Sequence, residues 1–137
     1  MAGHLKGVTL TAPDLPGHGS APDWDGRTEL HGLATRDALA VAEALVCVDL
    51  IGHSFGATVA LRMALERPEL IRSLVLIEPV LFAAARAAGD PAFAAFRAGH
   101  LGFAEALSAG RFPEAAAMFH AVWGGGFAIV RPVVHCH

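Results

Sequence analysis

Charge is scarce in this sequence, and positive charge is nowhere concentrated. Charged residues make up 17% of the 137 positions, and the 10 Lys and Arg residues are dispersed along the chain. The net charge is −3 and the sequence pI is about 6.2. A nucleic-acid-binding domain normally carries a basic patch or stripe. The composition therefore predicts no nucleic-acid partner.

Cysteines are few, and long apolar runs are missing. Cys47 and Cys136 make no disulfide framework, and Cys47 lies in an apolar stretch where a buried, reduced thiol is expected. No apolar run reaches the roughly 20 residues that span a bilayer, and the first residues do not resemble a signal peptide. We expect a soluble cytoplasmic protein with no membrane partner. The adjacent residues 135–137, His-Cys-His, do not suffice for a metal site, so no metal is predicted.

Hydrophobic residues, by contrast, make up 54% of the chain and follow an alternating pattern. Apolar, β-branched runs predict strands at 8–12, 45–51 and 73–77, and helical periodicity predicts helices at 34–45 and 57–67. Strands that alternate with helices form parallel α/β sheets. The continuous apolar run at 45–51 predicts a central strand that is covered on both faces.

The character of the sequence changes after Pro79. Ala- and Phe-rich helical stretches follow, interrupted by Gly and Pro, and they end at Gly124-Gly125-Gly126. The sequence predicts three parts, which are a core at 1–82, a helical segment at 83–126 and a tail at 127–137. Residues 127–134 are apolar, and two interpretations of them remain open, a strand and an unpaired tail.

A glycine-flanked serine joins the second predicted strand to the helix that follows it, in the run Gly52-His53-Ser54-Phe55-Gly56. A sharp strand-to-helix turn strains the residue at its apex and crowds the positions two residues away, which favours Gly52 and Gly56. Such a turn raises the Ser54 hydroxyl above the carboxyl edge of the sheet, at the positive end of a helix. The pattern is typical of a nucleophile, with the backbone N–H of Phe55 as an oxyanion donor. The alternative is a purely structural turn.

Three segments together resemble the α/β-hydrolase superfamily, with the small esterases and carbon–carbon bond hydrolases as the most similar members. They are Asp14-Leu15-Pro16-Gly17-His18-Gly19-Ser20, the strand and turn at 46–56, and Leu74-Val75-Leu76-Ile77-Glu78-Pro79. Taken alone, the first segment has the alternative interpretation of a Gly/Pro turn. The resemblance covers residues 7–82, and the helices at 83–123 resemble the cap domain of that family more loosely. It implies a partial α/β-hydrolase fold, with equivalents of strands four to six and part of a helical cap.

The resemblance also implies roles for individual residues. Ser54 would be the nucleophile, and no cofactor is implied because a Ser–His–acid triad supplies its own base. Glu78 follows the sixth-strand equivalent, where some relatives place the triad acid; the alternative is a strand-end glutamate that faces solvent or pairs with the cap. The family's usual acid and histidine follow strands seven and eight, which are not in this sequence. We therefore assign no role to His135 or His137.

The resemblance thus implies a serine hydrolase that acts on small esters or related acyl and carbon–carbon substrates through a Ser54 acyl-enzyme. Because the strand between the fourth and fifth equivalents and the second oxyanion loop are missing, we expect an incomplete, weakly active or inactive fragment. We also expect a three-stranded sheet with exposed edges that favour self-association. The alternative function is a non-catalytic protein on the same fold that binds small molecules or other proteins.

Overall fold

A computed structural model describes residues 6–124, and this part of the chain divides into two compact units between Leu81 and Phe82. The first unit contains α1 (Leu30–Leu45), β1 (Val48–His53), α2 (Phe55–Glu66), a short 3-10 helix (Pro68–Leu70) and β2 (Ile71–Ile77). The second unit contains four helices, α3 (Phe82–Ala87), α4 (Pro91–Gly99), α5 (Leu101–Ser108) and α6 (Phe112–Trp123). The predicted tail at 127–137 lies outside the described residues, so the three-part division stays a prediction.

The sheet is parallel, and its two strands end level with each other. In the register, Val48 is the partner of Ile71 and His53 the partner of Ile77, with one irregularity after Val48. Helix α2 makes the connection between the strands and packs on both of them. The parallel arrangement of helices and strands that the sequence predicts is confirmed as a partial α/β fold. Because the strands run in the same direction, the residues that follow them meet at one edge.

The prediction of a strand at 8–12 is wrong. Residues 8–12 form no strand, and Val8 and Leu10 are 59% and 48% exposed. A β-branched run becomes a strand only when a neighbour pairs with its backbone groups, and within residues 6–124 β1 pairs only with β2. The expected three-stranded sheet is therefore two-stranded in the described chain. One edge of each strand is unpaired there, and self-association through these edges stays a prediction.

The core lies between the two helices and one face of the sheet. Small residues of α1 allow α2 to approach closely, and the buried apolar cluster consists of Ala34, Ala42, Val59, Met63 and Leu70. Four half-buried residues of the strands and α2, Val48, Leu50, Phe55 and Ile71, pack against it.

The opposite face of the sheet is open in the described chain. Ile51 and Val75, which are register partners, are each 48% exposed. The prediction that β1 is covered on both faces is therefore wrong in the described chain. Cys47, expected to be buried, is exposed because β1 begins only at Val48. At the amino end of this open face, Asp49 pairs with Arg72 and accepts a hydrogen bond of 2.6 Å from the Ser73 hydroxyl.

The second unit, called the helical unit below, is stabilised by local helix caps and by small residues where its helices pack. Asp90 accepts a hydrogen bond of 2.8 Å from the Ala92 N–H at the start of α4, directly before Pro91. Ala106 of α5 and Ala115 of α6 are buried where these two helices pack. Within residues 6–124, no helix combines the length and the apolar character that crossing a bilayer requires.

We predict that Asp49→Asn removes part of the acid sensitivity of the fold. The Arg72 guanidinium and the Ser73 hydroxyl lower the pKa of Asp49 from 3.8 to about 2. A carboxylate whose pKa is lowered in the folded state stabilises it at pH above about 4, and this contribution is lost as the pH falls to about 2. Urea unfolding should show that the free energy of unfolding falls less between about pH 4 and pH 2 in Asp49→Asn than in the parent chain. The control Glu105→Gln, on α5, should behave like the parent. Equal losses in all three would contradict the prediction.

Candidate functional site

Ser54 is the single residue between the end of β1 and the start of α2. Its backbone has φ 53° and ψ −121°, a conformation that is strained for any residue with a β-carbon. The Ser54 N–H donates to the carbonyl of Ile77 at 3.0 Å, and the Ser54 carbonyl accepts from the Ala57 N–H at 3.1 Å. The sharp turn that the sequence predicts at Ser54 is present, and its role as a nucleophile stays a prediction.

The two glycines of the motif meet different surroundings. A β-carbon added at Gly52 would lie 2.5 Å from the Gly56 carbonyl oxygen and 2.6 Å from the Ala57 Cα. Gly52 therefore allows the strand to approach the backbone of the first turn of α2. A β-carbon added at Gly56 meets no atom within 4 Å in the described chain. The crowding that the sequence predicts at Gly56 is not found there. The carbonyl oxygen of Gly56 lies against β1, whereas the side of its Cα that would carry a β-carbon faces open space.

Glu78 follows β2 at the same level at which Ser54 follows β1. Its φ is 48°, so both residues that leave the carboxyl edge of the sheet have a left-handed backbone. The Glu78 Oε2 lies 3.6 Å from the Nε2 of His53, and the two side chains are 85% and 65% exposed. A contact between side chains this exposed contributes little to stability. The structure thus brings Glu78 beside the turn, where its predicted role as the triad acid stays a prediction.

His53 as the partner of Glu78 escaped the sequence interpretation. The contact follows from the register, since His53 ends one strand and Glu78 directly follows its neighbour. Two strand ends that are level bring residues 25 positions apart into contact, which no local pattern reveals.

Phe55 begins α2, and its ring is half-buried against the core cluster. The ring meets the imidazole of His31 edge to face, with centroids 5.5 Å apart. Its backbone N–H lies at the helix N-terminus, where such groups have no partner within the helix. This position suits the predicted oxyanion donor, which no contact in the described chain tests.

The Ser54 hydroxyl makes no hydrogen bond within residues 6–124, and no imidazole there is bonded to it. His18 is bonded to the Pro16 carbonyl at 3.2 Å, and His100 to the Phe96 carbonyl at 2.8 Å. His135 and His137 lie outside the described residues. In the described chain, the turn therefore presents a serine near a carboxylate, and no imidazole is bonded to the serine hydroxyl.

The loop at 14–20 is held by its own residues. Asp14 accepts hydrogen bonds of 2.9 Å from both the N–H and the hydroxyl of Ser20, which lower the pKa of Asp14. Gly19 has a φ of 54°, and an added β-carbon would overlap the Asp14 carboxylate. These contacts show that the segment forms a Gly/Pro turn, and they do not discriminate between the structural interpretation and the family resemblance.

Within residues 6–124, Ser54 belongs neither to a metal-binding cluster nor to the groove between α1 and α2. Residues 6–124 contain no group of three or more His, Cys, Asp or Glu side chains that converge on one point. The groove of the first unit, about 370 Å³, is lined by residues of α1 and α2 that include Arg36, Arg62 and Glu66. Its lining does not include Ser54, Phe55 or Glu78.

Comparison with known proteins gives a family match along nearly the whole chain. The model of the alpha/beta hydrolase family matches residues 2–136. The chain is 37% identical over 84 residues to Lipase LipV of Mycobacterium tuberculosis, covering 59% of this chain and 31% of that protein. It is 38% identical over 79 residues to the dihydrolipoyllysine-residue acetyltransferase component of the acetoin cleaving system of Cupriavidus necator, covering 54% of this chain and 20% of that protein. The matches thus span less than a third of either relative. No solved structure matches the chain significantly.

We predict opposite effects for the same substitution at the two glycines. Gly52→Ala places a β-carbon against the backbone of α2 and should lower the free energy of unfolding by about 1–3 kcal/mol. Gly56→Ala, within the helix and facing open space, should raise it by up to about 1 kcal/mol. Chemical denaturation of both variants measures the difference. A Gly52→Ala variant as stable as the parent would show that β1 and α2 are not so close.

Glu78→Gly should stabilise the chain, in contrast to Glu78→Ala. A left-handed φ strains a residue with a β-carbon and leaves glycine unstrained, a difference of about 1 kcal/mol. Alanine keeps the strain and loses the carboxylate, so it serves as the matched control. Thermal unfolding of the two variants should give a higher midpoint for the glycine. Equal midpoints would mean that Glu78 is not held in the left-handed region.

Proposed function

The chain belongs to the α/β-hydrolase family, and we propose that it is a serine hydrolase that acts on small esters or related acyl and carbon–carbon substrates. The observation that carries the proposal is the backbone of Ser54, strained at φ 53° between a strand and a helix N-terminus. A non-glycine residue keeps such a conformation only where its surroundings enforce it, and such residues cluster at active sites. The relative from Mycobacterium tuberculosis is named a lipase, which agrees with acyl chemistry.

In the proposed reaction, the Ser54 oxygen attacks the acyl carbon and a general base takes the hydroxyl proton. The tetrahedral oxyanion forms near the N-terminus of α2, where the Phe55 N–H donates to it. Collapse of this intermediate breaks the bond to the leaving group, which takes the proton, and leaves an acyl group on Ser54. Water then releases the acid by the same steps.

In this scheme, the role of Glu78 is to position the imidazole that acts as the base. A carboxylate level with the nucleophile orients the imidazole that serves as base and stabilises its protonated form. The register of β1 and β2 places Glu78 at the edge from which Ser54 emerges, and its carboxylate lies 3.6 Å from the imidazole nitrogen of His53. Cytoplasmic location and independence of cofactors stay predictions.

The second candidate function is non-catalytic binding of small molecules. It is favoured by one observation, the lack of a base bonded to the Ser54 hydroxyl within residues 6–124. A serine without its base is a poor nucleophile, and the loss of a triad member costs several powers of ten in rate.

Free imidazole supplied as the base discriminates between these functions. The chain would be incubated with a p-nitrophenyl ester, and acyl groups would be mapped by peptide mass spectrometry. Without imidazole, we expect the chain to release nitrophenol no faster than Ser54→Ala does. With imidazole, we expect Ser54 to become acylated, and we expect Glu78→Gln to slow this acylation. Acyl groups spread over Ser20, Ser73 and Ser108, or found nowhere, would contradict a nucleophilic Ser54. Rapid Ser54-dependent turnover without imidazole would show instead that another part of the chain supplies the base.

A further inference from the structure

His31, to which the sequence assigns no role, connects the two helices of the first unit. It lies in the first turn of α1, and its Nε2 is 3.1 Å from the Thr58 hydroxyl of α2. Its Nδ1 is 3.3 Å from the Arg62 Nη1, one turn further along α2. The ring also contacts Phe55 edge to face, at an interplanar angle of 88°. Three contacts thus hold this imidazole against the helix that begins after Ser54.

The chemistry of the partners fixes where the proton of this imidazole lies. A guanidinium only donates hydrogen bonds, so the Nδ1 of His31 must accept from Arg62. The Thr58 hydroxyl donates to the Phe55 carbonyl at 2.7 Å, so its oxygen is free to accept from the Nε2–H of His31. The arrangement places the imidazole proton on Nε2 and leaves Nδ1 as the acceptor. It forms one directed hydrogen-bond chain, from Arg62 through His31 and Thr58 to Phe55.

The charged groups around the imidazole hold the start of this chain in place. Arg62 is bonded to Glu66 at 2.7 Å and lies 3.5 Å from Glu29. Glu29 in turn caps α1, since its carboxylate accepts from the N–H groups of His31 and Gly32. Both ends of the hydrogen-bond chain are therefore anchored, one by carboxylates and the other by the carbonyl of Phe55.

We propose that His31 is a positioning residue for the oxyanion donor, an inference that rests on the proposed function of Ser54. The chain of hydrogen bonds ends on the residue whose N–H would bind the oxyanion, and the ring of His31 packs on that same residue. Because the carbonyl of Phe55 is held by Thr58, the first turn of α2 keeps a fixed direction relative to Ser54. Preorganised donors of this kind lower the barrier because they need no rearrangement during the reaction.

Two substitutions separate the hydrogen bonds of His31 from its packing. His31→Phe keeps an aromatic edge against Phe55 and removes both hydrogen bonds, whereas His31→Gln keeps a donor and an acceptor. The matched control is His100→Phe, since His100 also stacks on a phenylalanine, Phe96, but belongs to the helical unit. We expect His31→Phe to slow imidazole-assisted acylation of Ser54 roughly tenfold. His31→Gln should restore most of the rate, and His100→Phe should leave it unchanged.

Two further measurements do not depend on reactivity. The nitrogen NMR spectrum of the parent chain at alkaline pH should show His31 as the Nε2–H tautomer. Amide exchange of Ala57, which donates to Ser54 in the first turn of α2, should be roughly tenfold faster in His31→Phe while the β1 amides are unchanged. If both results hold and Ser54 is never acylated, the proposed function fails and the hydrogen-bond chain stands. The Nδ1–H tautomer, or unchanged exchange and acylation in His31→Phe, would overturn the role of His31.

Discussion

The close approach of β1 to the first turn of α2 is the constraint on which the site depends. Gly52 provides the space for it, since any β-carbon there would overlap the Gly56 carbonyl and the backbone of Ala57. With strand and helix this close, a single residue has to reverse the chain direction between them, and Ser54 does so with a left-handed backbone. The hydroxyl is therefore carried to the carboxyl edge of the sheet and to the positive end of a helix by the same turn.

The parallel register brings a second group to this point. Since β2 ends level with β1, Glu78 leaves the sheet beside Ser54, and its backbone is also left-handed. Two residues with a positive φ thus follow adjacent strands, and each such conformation costs about 1–3 kcal/mol that the surrounding structure has to offset. The cost is offset nearby, because the Ser54 N–H is bonded to the Ile77 carbonyl and His31 fixes the first turn of α2. The site is thus a set of backbone positions held by packing, to which the side chains add the chemistry.

Local patterns predicted the parts of this fold that depend on local interactions. The helices and the two paired strands follow from apolar periodicity, and the turn at Ser54 follows from its glycines between two regular elements. The run at 8–12 has strand composition too, but a strand needs a partner, and composition does not say whether one is present. The prediction that both faces of β1 are covered is wrong for the same reason. The pairing of His53 with Glu78 and the contacts of His31 with Thr58 and Arg62 depend on register and helix packing. These contacts join residues 25 or more positions apart and leave no local signal.

A crystal structure of the chain after acylation or phosphonylation with imidazole present would test the central claim most directly. The claim is that the turn between β1 and α2 presents Ser54 as a nucleophile beside an oxyanion donor. We predict a covalent adduct on the Ser54 Oγ with one oxygen about 2.7–3.1 Å from the Phe55 nitrogen. We also predict that Ser54 keeps its left-handed φ. An adduct on another residue, or an oxygen directed away from the N-terminus of α2, would contradict it.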